Sequence, residues 1–455
     1  MTVRIRPLAG VGELEAFERV RALAFGDQFE AARLGGLAAV AELDRMWVAT
    51  DHVATDHVAT GDEIVVGTAA AYSFAISMPG GTDLRAAGLK ALATRPTHRR
   101  RGVLRALMAR TLGDAHDRGE PLAVLWASEA GIYHRFGFGL SASVLGWDVP
   151  SAAPFLPRPD QLAREVIADG RVRVLDNAEP LDEVLSLVAP TYERARTQRP
   201  GMLARSPAWW QRRAAQGRLA TCSWALVDPG SSPPDSPGPT GPDTTRPGVA
   251  SPGTISGRAP RPPEAYAAYR VEPRWGETGP DNHVWVLEAV ATSREAEAAL
   301  WRFLLDLDLA TRVSAALRPA DEALAFMLAD VRSMGRRLSD GAWARILDVP
   351  AALEGRTYAV PGRITFDLDD ELCPWNAGRW ALDVGPDGAS CRPASGRESA
   401  DLHLGTAELS AAVLGGSRLV GQAAAGLVDE HRPGALGEAD RMFSWPVAPW
   451  TVTYF

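Results

Sequence analysis

The sequence predicts a mixed α/β chain of several domains, on three observations. At 455 residues it exceeds what one hydrophobic core usually supports, and ordinary domain sizes give about two to four units. Strand-like and helix-like periods alternate through the first two thirds, the rhythm of α/β layers. The third observation is one strand–loop–helix unit, starting at Gly88, whose loop is densely basic.

In chain order, the tandem repeat DHVAT-DHVAT at Asp51–Thr60 precedes a strand pattern at Glu63–Ala70. Its His52 and His57 have no further ligands at metal-site spacing, so no metal is expected. A second strand pattern ends near Thr94, where Pro96 breaks it. Val103, Leu104, Leu107, Met108, Thr111 and Leu112 then recur along one helix face. Another strand, Pro121–Ala127, follows. Further on, Leu219–Val227 and Ala265–Val271 read as strands flanking residues 228–263, a Pro/Gly/Ser-rich stretch without aromatic residues. Such a composition cannot bury enough apolar area to order itself, so the stretch is expected to be a disordered insertion in a hairpin. His283–Ala291 reads as a buried strand, and Thr292-Ser-Arg-Glu295 has capping-box spacing ahead of an apolar helix over 296–305. The last third, from about Gly341, is mixed. It contains a strand at Ile364–Leu368, a turn at Pro374–Gly378 and a helical run Thr406–Leu414 stopped by Gly415-Gly416.

Composition narrows the function classes. The formal net charge is -8, which disfavours nucleic-acid phosphate as a partner. No uninterrupted apolar run of about 18 residues offers a membrane span, and Met1–Arg6 leads into no apolar signal core. The 3 cysteines, Cys222, Cys373 and Cys391, form no C-x-x-C pair, and a reducing, cytoplasmic location is expected.

The basic loop carries the first chemical clue. Arg99-Arg100-Arg101-Gly102-Val103-Leu104 stands between strand and helix. Gly102 would let the backbone approach a ligand, and the helix N-terminus turns free N–H groups outward. A pyrophosphate suits that place, with Arg99, Arg100 or Arg105 adding charge-assisted bonds. Without an anion, the helix dipole opposes cations there.

The strand, the Arg-Arg-Arg-Gly loop, the second strand and the ending Ile132-Tyr133…Phe136-Gly137-Phe138 resemble the acetyl-CoA-binding half of GNAT acetyltransferases. One departure is Leu104, where that superfamily prefers Gly or Ala. The combination THRRRG with SEAGIYHRFGFG is similar to the Eis-type (enhanced intracellular survival) N-acetyltransferases, which acetylate aminoglycosides at several amines. Arg199–Leu203, Trp209-Trp210, Arg345–Val349, Pro374–Asn376, Leu414–Gly416 and Ala448–Trp450 extend the likeness over most of the chain. The resemblance implies an N-terminal GNAT domain (1–155), a central degenerate GNAT-like domain (156–338) carrying the 228–263 insertion, and a C-terminal sterol-carrier-protein-like domain (339–455). It also implies acetyl-CoA as co-substrate, a small-molecule amine as acceptor and a homo-hexamer. The degeneracy is visible independently: the strand ending at Ala291 is followed by a capping box, not by an Arg/Gly loop.

Direct acetyl transfer needs a deprotonated amine, a stabilised oxyanion and a proton for the departing thiolate. Tyr133, flanked by Ile132 and Phe136, reads as a packing residue from its neighbours alone; the resemblance makes it the general acid. Backbone N–H groups of Leu92, Ala93 and Thr94 would hold the carbonyl, and Ser128 or Glu129 would line the cofactor channel. For the base, the resemblance supplies the terminal carboxylate of Phe455, whose tail, Ala448–Phe455, is too aromatic to stay loose. Asp27 and Glu30 are expected to bind the acceptor's ammonium groups and are the competing bases. Two other classes remain open at this point: a protein-lysine acetyltransferase, and a non-catalytic lipid-binding or regulatory protein suggested by the third domain.

Overall fold

The computed structural model describes residues 3–31, 34–38, 41–52, 63–215, 217–230, 261–277 and 279–455. Most of the tandem repeat, His57 included, and the interior of the Pro-rich stretch lie outside them.

Among the described residues, three large sheets and one two-stranded ribbon, Trp275–Gly276 with Gly279–Pro280, organise the chain. The first has seven strands, whose one parallel pairing joins Asp83–Thr94 to Leu122–Trp126. A parallel pair needs a crossover, and the helix Val103–Asp117 supplies it, burying Leu107, Met108, Leu112 and Ala115 against one sheet face. This is the face expected from the periodicity, except that Leu104 stays partly exposed. The helix Leu14–Phe25 covers part of the other face through Leu14, Phe17 and Val20.

Sheet membership does not follow the linear division expected from the sequence. The strand Ala342–Ile346, next to Gly341 at the expected start of the last third, inserts between Leu122–Trp126 and Gly139–Leu140 of the first sheet. In return Ser143–Pro150 leaves for the second sheet, where it pairs with Ala310–Pro319. The physical reason is the edge of Leu122–Trp126, a strand buried on both faces, which requires a hydrogen-bonded neighbour. Ala342, Ala344, Arg345 and Ile346 are themselves buried and provide it.

The second sheet repeats the plan of the first. Asn282–Ala291 pairs in parallel with Ala310–Pro319, and the helix Arg294–Leu305 crosses between them. Ser223–Val227 pairs antiparallel with Ala265–Glu272, Val227 opposite Ala265, so the Pro-rich stretch does join two hairpin strands. The strand expected from Leu219 begins only at Ser223. The helix cap also shifts by one residue: Ser293, not Thr292, accepts the bond from the Ala296 N–H. Thr292 is engaged instead, its hydroxyl donating to the Glu264 carbonyl at 2.9 Å.

The third sheet has five strands centred on Gly362–Asp369. Its apolar side merges with the first sheet into one core, in which Tyr72, Phe74, Ile76 and Val124 meet Leu353, Phe366, Leu382 and Phe443. Among the described residues no helix is long and apolar enough to cross a membrane, and no group of three or more His, Cys, Asp or Glu side chains is arranged to hold a metal ion.

Candidate active site

The parallel pair of the first sheet does not stay paired. Ala86, Ala87 and Gly88 face Leu122, Ala123 and Val124, and beyond Gly88 the register ends. Leu89–Thr94 therefore becomes an arm with one free edge, still paired on the other with the strand Glu63–Ser77 and kinked at Ala91, which adopts a positive φ of 52° and shifts that register. A bulge of this kind re-aims backbone groups; here the Ala91 carbonyl is taken up by the Thr68 hydroxyl at 2.7 Å.

Along that arm opens a cleft of about 850 Å³. Its walls are Leu92, Ala93 and Thr94 from the arm, Arg99, Arg100, Gly102, Val103, Leu104 and Arg105 from the loop and helix start, and Ser128 and Glu129 beyond the second strand. The helix begins at Gly102 in the left-handed region (φ 77°) with no side-chain cap on its free N–H groups. A Cβ at Gly102 would meet nothing within 4 Å, so the glycine answers a backbone requirement and the space before it is open. Arg100 holds a positive φ of 63°, a costly conformation for a non-glycine residue. Arg101, expected on the cofactor side, is not on the cleft wall; its guanidinium lies 4.0 Å from Asp51.

Between Ile132 and Phe136, which both line the cleft, Tyr133 joins two short 3-10 turns and is buried against Phe138. Burial raises its pKa; the Ser128 hydroxyl offsets part of this, and Glu129 and Tyr454 push it further up. The phenol is thus protonated near neutrality and able to donate.

The C-terminal tail reaches the same region from across the molecule. Trp450, Thr451, Val452 and Thr453 are buried. The Trp450 N–H donates to the Pro200 carbonyl at 2.8 Å, the Trp126 indole donates to the Thr453 carbonyl at 3.0 Å, and the Thr453 hydroxyl meets Tyr192 and Arg205, each at 2.9 Å. Tyr454 leans on Trp126. The Phe455 ring lies 5.0 Å from that of Phe74, over Gly88, where a Cβ would come within 3.1 Å of it and 2.3 Å of Phe74. Gly88 is therefore the residue that lets the tail settle on the splayed pair. A glycine inside a strand often marks such an approach, a signal the sequence did carry.

Asp27 and Glu30 sit at the exposed end of the helix Leu14–Phe25, whose Ala24 and Phe25 also line the cleft. Asp27 is not a bare acid: Arg21 donates to it at 2.7 Å.

Two further cations, on the sheet face where Phe455 lies, were not foreseen. Lys90, on that arm, and Arg212, on the helix Pro207–Ala215, both donate to the Tyr72 phenol, at 3.1 and 2.6 Å. Trp209 from the same helix packs on Tyr72 and Phe74. Burial, then Arg212 and Arg21, pull the Lys90 pKa down to about 7 against the opposing pull of Glu18.

The second sheet splays too, after Val286 and Ala315, but the gap is filled. Glu288, two residues past the last pair, accepts from Arg205 at 2.8 and 3.0 Å, from Arg213 at 2.5 Å and from the Tyr266 hydroxyl at 2.6 Å.

Residues 4–141 match an acetyltransferase (GNAT) domain, 246–346 a second acetyltransferase (GNAT) domain, and 349–452 a sterol carrier protein domain. The chain is 38% identical over 416 residues to an uncharacterized N-acetyltransferase of Streptomyces avermitilis, covering 91% of this chain and 93% of that one. It is 32% identical over 397 residues to the N-acetyltransferase Eis of Mycobacterium tuberculosis, covering 86% of each. Its structure matches that of Eis1 from Mycobacterium abscessus with a TM-score of 0.75 at 28% identity, over 99% of this chain and 100% of the other. With a GNAT domain first, a second GNAT-like domain in the middle and a sterol-carrier-like domain last, the chain belongs to the Eis-type N-acetyltransferases of the GNAT superfamily and is an acyltransferase.

Proposed function

We propose that this enzyme transfers the acetyl group of acetyl-CoA directly to an amine of a small molecule, of the aminoglycoside-like or polyamine class. The observation that carries the reading is the uncapped, basic helix N-terminus at Gly102, opening on a cleft whose far wall, Ser128, Glu129, Ile132 and Phe136, flanks in sequence the buried, protonated Tyr133. The free N–H groups, with Arg99, Arg100 and Arg105, suit the pyrophosphate, and the free edge at Leu92–Thr94 offers backbone donors to the thioester carbonyl. The amine nitrogen attacks the carbonyl, the C–N bond forms and the C–S bond breaks. One proton passes from the amine to the Phe455 carboxylate and one from Tyr133 to the thiolate. An α-carboxylate is ionised at neutral pH, its reference pKa being about 3.3–3.7. Asp27 and Glu30 would meet further ammonium groups of the acceptor. Assembly as a homo-hexamer in the cytoplasm completes the reading.

The test is acetyl-CoA consumption with aminoglycosides, polyamines and lysine peptides, run on the native chain and on one extended by a C-terminal glycine. Extension converts the Phe455 carboxylate into an amide, and transfer should disappear while acetyl-CoA still binds. Full activity in the extended chain would move the base to Asp27 or Glu30. Turnover of peptides alone would favour a protein-lysine acetyltransferase.

A further inference from the structure

We propose that Thr453 is a positioning residue for the terminal carboxylate, and that the cluster filling the gap of the second sheet is the anchor that holds it. The proposal rests on the reading of Phe455 as the base and gives the central unit a part in that chemistry.

The tail is gripped first at Ala448. Its carbonyl accepts from Arg199 at 2.8 Å and its N–H donates to Asp321 at 3.0 Å, while Arg199 and Asp321 pair with each other at 2.6 Å. Trp450 follows, its N–H on the Pro200 carbonyl and its indole on the Leu317 carbonyl at 3.0 Å. From Trp450 to Phe455 the chain can still span about 17 Å. That is too much slack for a group that must come within hydrogen-bond reach of the amine it deprotonates. A hold on Thr453 cuts the span to about 7 Å.

Thr453 is buried and held from two sides. The first sheet takes its carbonyl, through the Trp126 indole, and the central unit takes its hydroxyl. Tyr192 spends its one O–H on the Leu203 carbonyl, at 2.7 Å. The Thr453 hydroxyl therefore donates to the Tyr192 oxygen and accepts from Arg205 Nε, each at 2.9 Å. The rest of the Arg205 guanidinium is bidentate on Glu288, and its Cζ lies 3.9 Å from the centre of the Tyr192 ring. Arg205 cannot turn away without giving up Glu288, which Arg213 and Tyr266 fix in turn. Every link from Glu288 through Arg205, Thr453 and Tyr192 to Leu203 is thus a made bond of settled direction, the condition under which a buried polar network is rigid. Leu203 closes the circuit on the first sheet: it bridges Ile76, on the strand that carries Phe74 beside the Phe455 ring.

The experiment reads the end of the chain directly. Carboxypeptidase A releases a C-terminal aromatic residue from an end that has left its seat, so its rate follows the population of the opened tail. Thr453→Val keeps the shape and removes the hydroxyl; Thr453→Ser keeps the hydroxyl. On the full-length chain, Thr453→Val should release phenylalanine about tenfold faster or more and lower kcat about 10- to 100-fold, the worth of two buried hydrogen bonds of which one is charge-assisted. The KM for acetyl-CoA should stay native, and Thr453→Ser should restore both readouts. Native release and native kcat in Thr453→Val, or no recovery in Thr453→Ser, overturn the proposal. Should Thr453→Val fold poorly, judged by its melting and its acetyl-CoA affinity, Tyr192→Phe removes one of the two bonds and leaves the ring in place. It should move both readouts in the same direction by less, and native values in it overturn the proposal equally. The glycine-extended chain separates this proposal from the reading beneath it. If extension abolishes transfer while Thr453→Val behaves as native, the anchor falls and the base stands. If the extended chain is fully active, the base falls and the positioning role with it, whatever the rate of phenylalanine release.

Discussion

The N-terminal and central units place the same device, a parallel strand pair that parts after a few residues, in two different conditions. In the first, the gap is bordered by an uncapped helix start, an open cleft and two cations sharing one phenol. In the second, Ser293 caps the crossover helix and Glu288, Arg205, Arg213 and Tyr266 fill the gap. A splayed pair alone is therefore not a site. What separates enzyme from scaffold is whether the backbone and side-chain valences around the gap are left for a ligand or satisfied internally.

Breaking the chemistry of the open unit should have the largest effect. Tyr133→Phe keeps the packing against Phe138 and removes only the hydroxyl, so turnover should fall about 10²- to 10⁴-fold, the usual worth of general-acid help. Acetyl-CoA affinity should change little. Single-turnover kinetics with a near-normal chemical step would return Tyr133 to a packing role and weaken the contrast with the central unit.

Next comes the plug of the closed unit. Burial alone would raise the Glu288 pKa, but Arg205 and Arg213 overcome it and hold the group down to about 2. A glutamate depressed in the folded state stabilises fully above its ordinary range and loses that contribution as pH falls towards its folded pKa. Glu288→Gln leaves two arginines facing a neutral amide, and removal of one partner from a buried pair costs about 3–5 kcal/mol. Denaturant titration should find that gap at pH 7 and a narrowing gap between about pH 4.5 and 2. A variant as stable as the native chain would show that the central splay is not held by its ion network.

Arg100→Glu in the open unit should raise the KM for acetyl-CoA by about 10- to 100-fold, one charge-assisted bond lost and a like charge set before the pyrophosphate. The KM for the acceptor should move far less. Equal acetyl-CoA constants would detach the loop from the cofactor. The smallest effect is expected from Ser293→Ala, which uncaps the central helix and should lower stability by about 1 kcal/mol. It should create no acetyl-CoA binding, since no arginine loop precedes that helix; calorimetry that found such binding would break the comparison outright.

The parts of this site that sequence reading could reach are local ones. Pro96 and Gly102 punctuate the strand–loop–helix unit, and the helix face Val103–Leu112 follows its period. The tail was expected to dock because of its aromatic residues, and Trp450–Thr453 are indeed buried. What escaped depends on distant partners. Lys90 interrupts the apolar run Ala86–Ala93, and nothing nearby in sequence places it beside Arg212, more than a hundred residues later. The strand Ala342–Ile346 reads as the start of the last third because its true neighbours, Leu122–Trp126 and Gly139–Leu140, are about two hundred residues earlier. The capping error at Thr292 was of another kind: two adjacent hydroxyls both suit a cap, and only the Glu264 carbonyl decides between them.

The late insertion of Ala342–Ile346 sets a clock on biosynthesis. Chains emerge at about 5–20 residues per second, so roughly 10–40 s separate the appearance of Gly139–Leu140 from that of the strand that joins it to Leu122–Trp126. Through that interval the nascent N-terminal sheet stands incomplete beside the ribosome with a bare apolar edge, the state most open to chaperones and to mispairing with a neighbouring copy. The last residue then seats over Gly88.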